Sequence, residues 1–244
     1  MNPMNTPPII ASSPIPEDPA KTPLGKAPEE QIPITGIVSA IEAILRQPRR
    51  VLFQLRQPGQ GSLIAGILII VLVCSLVYGV IVGTFSGHEQ LWAAPLKLAA
   101  GLFISALICL PSLYIFSCLS GSDARLGEVC GLVAGLLALM TILLIGFAPV
   151  AWIFSQSTES ITAMGSLHLV FWLIATGFGL RFLQTGFSHL NAKSNTGFKV
   201  WTLIFLLVML QMTAALRPIV GTAPTLLPME KKFFVSHWAD CLRK

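Results

Sequence analysis

The chain has 244 residues, of which 54% are hydrophobic and 11% charged, and a formal net charge of +5. Its mean hydropathy is +0.75. Soluble domains carry about 25% charged residues, so this composition sets aside the water-soluble classes and indicates a polytopic membrane protein. Most charges lie in the two ends, which makes the positive excess a property of the flanks; it favours anionic lipid headgroups over nucleic acid.

Residues 1–33 are rich in proline (Pro3, Pro7, Pro8, Pro14, Pro16, Pro19, Pro23, Pro28) beside Glu17, Asp18, Glu29 and Glu30, with no aromatic residue. Such a stretch buries too little apolar surface to offset its ordering entropy and is expected to be a disordered tail. No signal peptide precedes the first apolar run, so the first spanning helix is expected to direct insertion.

Residues 34–60 differ. Ile37, Val38, Ile41, Ile44 and Leu45 recur at helical spacing, Pro48 interrupts, and Arg46, Arg49, Arg50 and Arg56 border the stripe. This is the pattern of an amphipathic juxtamembrane helix, with the arginines as a lipid-facing basic cluster. The same stripe would also serve to pack on the end of a helix bundle.

Residues 61–220 hold five apolar segments at about 20 residues per crossing: 62–85, 95–119, 126–154, 161–187 and 198–220. They lack the alternation of a barrel, so the expected fold is all-α, a bundle of five transmembrane helices. The connections 86–94 and 155–160 contain no Lys or Arg, whereas the N-terminal flank, 120–125 and 188–199 do. The positive-inside rule then places the N-terminus in the cytoplasm and, after five crossings, the C-terminus outside. Arg217, Lys231 and Lys232 strain that assignment for the last helix. Residues 221–244 read as an extracytoplasmic interfacial tail, with Phe233, Phe234 and Trp238 beside the two lysines.

The basic stretch Leu45-Arg46-Gln47-Pro48-Arg49-Arg50 leading into five helices is similar in layout to the Yip1-type membrane proteins. The strings Gln90-Leu91-Trp92-Ala93-Ala94-Pro95-Leu96-Lys97, Leu110-Pro111-Ser112-Leu113-Tyr114 and Leu216-Arg217-Pro218-Ile219-Val220-Gly221 resemble uncharacterised bacterial multi-pass proteins. The resemblance implies a non-enzymatic adaptor or organiser in the bacterial cytoplasmic membrane, engaging lipid or a membrane-protein partner, with no catalytic residue to carry over. The uncharged stretch 219–228 departs from the eukaryotic Yip1 pattern.

Polar residues inside a membrane are expensive and are the functional candidates. Arg181 is the deepest cation, with Glu128 a candidate partner or else a snorkelling path to the interface. Lys97 with Trp92 reads as an interfacial anchor behind Pro95 at the first helical position. His168 is a candidate relay or bundle hydrogen-bonding group. Pro111 and Pro149 read as helix breaks of the kind transporters use. Gly79 and Gly83, Gly131 and Gly135, and Gly177 with Gly179 form small surfaces for close helix packing. Four cysteines (Cys74, Cys109, Cys118, Cys130) read as small hydrophobes and Cys241 as idle.

Nucleophile, metal and phosphate-binding templates are absent, and His88, His168, His189 and His237 lack metal spacing. No cofactor is expected. The alternative reading is a small transporter or permease component. The two differ in the core: dry for an adaptor, with a polar cavity reaching mid-membrane for a transporter.

Overall fold

The computed structural model describes residues 23–86, 90–190 and 196–216. The readings of 1–22, His88, Glu89, Arg217 and the C-terminal tail with His237 and Cys241 fall outside them.

Among the described residues every regular element is helical. Three short helices form an arm: α1 (Pro28–Gln31), α2 (Ile37–Arg46) and α3 (Pro48–Gln54). Five long ones follow: α4 (Gln60–Ser86), α5 (Gln90–Leu119), α6 (Leu126–Ser157), α7 (Ile161–Ser188) and α8 (Thr196–Ala215). All five are long and apolar enough to cross a membrane, so the chain is an integral, multi-pass helical protein. At about 1.5 Å per residue the shortest, α8, reaches about 30 Å, the thickness of the hydrocarbon core.

The observed ends differ from the expected ones by a few residues: α4 to α7 run on past the apolar stretches, while the described end of α8, Ala215, falls short of the expected one. The largest extension is in α5, which starts at Gln90. Pro95 is therefore inside the helix, and the expected first-position role is corrected.

Around α6 the bundle is centred. Two thirds of its most apolar stretch is buried, against a third or less in the other four spans. Hydrocarbon tails are as apolar as leucine, so helices associate in lipid through close van der Waals packing. Small residues on α6 and its neighbours make that possible. A side chain at Gly135 would strike the Phe182 ring of α7, and one at Gly131 would strike Leu55 of the arm. A Cβ at Gly179 would come within 2.9 Å of the Leu136 carbonyl oxygen. Gly79 of α4 has the backbone of Pro95 against it. Gly177, by contrast, faces open space. The small-residue surfaces thus act within the chain.

α8 packs on α5. Phe198, Trp201 and Phe205 are buried there, with Trp201 stacked on Phe205 at 5.0 Å between centroids. The Trp201 indole N–H donates to the Cys109 carbonyl at 3.0 Å.

Candidate functional site

Among the described residues two places gather polar side chains: the arm, which closes one end of the bundle, and a Tyr–His couple inside it.

The arm is held by its own charges. Glu30 of α1 is buried, and Arg49 of α3 donates from Nε to its Oε1 at 2.6 Å. The Gly25 N–H donates to the other carboxylate oxygen at 2.5 Å. Gly25 has φ +89°, a conformation natural to glycine, and the Phe53 ring occupies the space a side chain would need. Arg50 donates from Nε to the Ile32 carbonyl at 2.9 Å and from Nη2 to that of Pro33 at 3.0 Å. Gln54 bridges the same strip, accepting from the Ile34 N–H at 2.9 Å and donating to the Ile32 carbonyl. Arg56 donates from Nη2 to the His189 carbonyl at the end of α7, at 2.6 Å. Below these ties Ile44, Val51, Leu52 and Leu55 join the main core.

One expectation changes here. Residues 23–33 are folded, because Glu30 has a cation to meet 19 residues later. The four arginines of the basic cluster have separate contacts: Arg49 and Arg50 meet a carboxylate and carbonyls inside the arm, while the exposed Arg56 reaches the His189 carbonyl at the end of α7. Arg46 is 78% exposed, with Glu42 at 3.7 Å one turn earlier. On α2, Ala40, Ala43 and Ile44 face the protein while Ile37, Val38 and Leu45 stay exposed.

The titration of this end follows from its geometry. Burial acts to raise the Glu30 carboxyl, but the Arg49 hydrogen bond, the Gly25 N–H and the Arg49 charge outweigh it and hold it below its ordinary value. His189 is pushed below its ordinary value by burial and by Arg49 and Arg56, against a weaker pull from Glu30. Both groups bind protons less readily when the arm is docked. Their contribution is therefore complete above the ordinary histidine value of 6.5, and falls as pH drops below it and then below the ordinary Glu value of 4.5. Energy transfer between labels on α2 and at residue 185 is expected to fall on acidification from pH 7.5 to 5, and His189→Gln to flatten the upper part of the change. A profile flat in both proteins would contradict this.

Inside the bundle, Tyr78 of α4 and His168 of α7 share a hydrogen bond, OH to Nδ1 at 2.8 Å, with their rings edge to face. His168 Nε2 is buried without a partner. The couple joins two helices that both pack on α6. Tyr78→Phe is expected to lower stability by about 0.5–1.5 kcal/mol, the range of single interhelical hydrogen bonds in membranes, as read by reversible unfolding in mixed micelles. A neutral result would mean that the bond is replaced.

Other sequence candidates are dispersed. Arg181 lies on the exposed side of α7, its guanidinium carbon 5.8 Å from the centre of the Phe178 ring. The pairing with Glu128 is corrected: no ion pair joins them among the described residues. Gly179, Phe182 and Gly186 turn the other side of α7 toward α6, while the Glu128 carboxylate caps its own helix at the Arg125 N–H, at 3.2 Å. Arg181→Gln and Glu128→Gln are expected to add within about 0.5 kcal/mol when combined; a coupling above that in unfolding measurements would restore the pair.

The anchor also divides: Trp92 is 78% exposed and Lys97 only 6%. Pro111 and Pro149 do not break their helices, which run through both positions, and both rings lie on exposed faces. Near Pro111 the Cys109 carbonyl accepts from the Ser112 hydroxyl at 2.8 Å as well as from Trp201, so the region serves helix docking. The buried hydroxyls of Thr141, Thr176 and Ser75 bond back to their own helices. Among the described residues no cluster of His, Cys, Asp and Glu is arranged to hold a metal.

Sequence reasoning missed Glu30, Tyr78, His189 and Trp201. Trp201 alone left a signal: a tryptophan in mid-helix, away from headgroup level, needs an acceptor for its indole N–H. Comparison of the chain with models of protein families, with curated proteins and with solved structures gives no match in any of the three.

Proposed function

We propose that this integral membrane protein is a non-catalytic adaptor or organiser of the Yip1-like type, set in the bacterial cytoplasmic membrane with its arm on the cytoplasmic side. The observation that carries this reading is the preformed arm. Three of its four arginines tie residues 23–60 together and to the end of α7, leaving Glu42 and Arg46 outward on α2 beside exposed Ile37 and Val38. That is a surface of mixed charge and apolar side chains fixed at headgroup level, suited to a membrane-protein partner lying against the bilayer.

The interior supports the same reading. The two cavities at the arm, of about 720 and 10 Å³, are not lined by Pro111, Pro149, His168 or Arg181. The residues that a transport pathway would use are spread over different faces.

A photoreactive amino acid at position 46 of the full-length protein, irradiated in the membranes of its own host, tests the proposal. One protein adduct of discrete mass is expected, and a Glu42→Lys change should weaken it. Absence of any protein adduct, together with solute uptake by proteoliposomes of the pure protein, would overturn it in favour of transport.

A further inference from the structure

The larger cavity is a half-open groove between the arm and the outer face of α4, lined by arm and α4 residues alone. Its α4 wall runs from Gln60 through Leu63 and Gly66 to Ile70, and Ile37 of α2 lies along it. Ten residues of helix span about 15 Å, which is one leaflet of a hydrocarbon core about 30 Å thick. The groove therefore begins at headgroup level and ends near the bilayer midplane.

Its chemistry changes along that depth. The exposed Gln57 stands at the upper end, where the Gln54 and Gln31 amides are engaged within the arm and that of Gln60 lies against Gly127 of α6, and the lower end is apolar. Among the described residues no charged side chain lines it. An occupant must therefore be amphipathic, with its polar part recognised by hydrogen bonds. A water-soluble ligand would leave the lower half unfilled.

We propose that the groove is a lipid-binding site, holding an acyl chain of one phospholipid with a net-neutral headgroup from the leaflet at the arm end. An anionic headgroup would bring a net charge to a site that has no cation to meet it. The Gln57 amide can both donate to a phosphate and accept from an ammonium, which suits a zwitterionic head such as phosphatidylethanolamine.

Gly66 gives a clean test. It lines the groove and a Cβ there meets nothing within 4 Å, as is also true of Gly146, an exposed position on α6 away from the groove. Full-length protein is reconstituted in bilayers of equal phosphatidylethanolamine and phosphatidylglycerol, released into detergent and weighed by native mass spectrometry. The wild type is expected to retain one lipid, phosphatidylethanolamine in preference. Gly66→Phe should reduce that fraction about tenfold, equivalent to about 1.4 kcal/mol, while Gly146→Phe retains it. Should Gly66→Phe not fold, the wild-type complex made with a phosphatidylethanolamine bearing a mid-chain diazirine is irradiated in detergent; labelling is expected at Leu63, Gly66 and Ile70. No retained lipid, preference for phosphatidylglycerol, equal retention by Gly66→Phe, or labelling spread over all helices would each overturn the proposal.

Discussion

Gly79→Ala is expected to be the most damaging single-methyl change in the bundle. The added Cβ would fall on the Cα of Pro95 and within 2.9 Å of its nitrogen, so two helix backbones must separate and no rotamer change relieves the contact. Overpacking of a well-packed core costs about 1–3 kcal/mol, and backbone contacts lie at the upper end. At about 2–4 °C per kcal/mol for a chain of this size, the melting midpoint should fall by about 5–10 °C. Pro95→Ala should not rescue it, since the obstructing atoms belong to the main chain. Gly177→Ala, with open space around it, is expected to melt with the wild type or slightly above. If Gly79→Ala and Gly177→Ala behaved alike, the close approach of α4 and α5 would be refuted.

Arg49→Met is expected to release α1 and leave the rest of the arm and the bundle standing. The change removes the cation from a carboxylate whose side chain is only 8% exposed, and breaking such a pair from one side costs about 3–5 kcal/mol. The loss is local, because α1 packs on α3 and not on the spanning helices. Trypsin should then cut rapidly after Lys26, while the thermal midpoint of the bundle stays unchanged. Adding Glu30→Leu to Arg49→Met removes the stranded carboxylate and should restore much of the protection. Cleavage at the wild-type rate in Arg49→Met would show that the arm is held by its apolar contacts alone.

The spans were legible to within a few residues because hydropathy over about 20 residues is a physical requirement of the bilayer, indifferent to tertiary detail. What decides the interior was not. All five segments are apolar, so nothing in their composition singles out α6 as the centre; that follows from where Gly131, Gly135 and Gly179 meet Leu55, Phe182 and Leu136. The partners of the charges were hidden for a related reason. The basic cluster at residues 46–56 suggests headgroups when read alone, and only the fold brings Glu30 and the carbonyls of Ile32, Pro33 and His189 within reach of three of its arginines. Likewise Arg181 and Glu128 lie toward the same end of the bundle, yet helix rotation turns them apart.

The packing of α8 on α5 has a consequence for how the protein is made. The second and fifth spans are partners, so a face of α5 emerges from the ribosome long before its cover. Until α8 follows, the Cys109 carbonyl has no Trp201 indole to meet. The half-synthesised bundle has an open flank that lipid, or the insertion machinery, must occupy in the interval. Chains ending before residue 196 are thus expected to be substrates for membrane quality control.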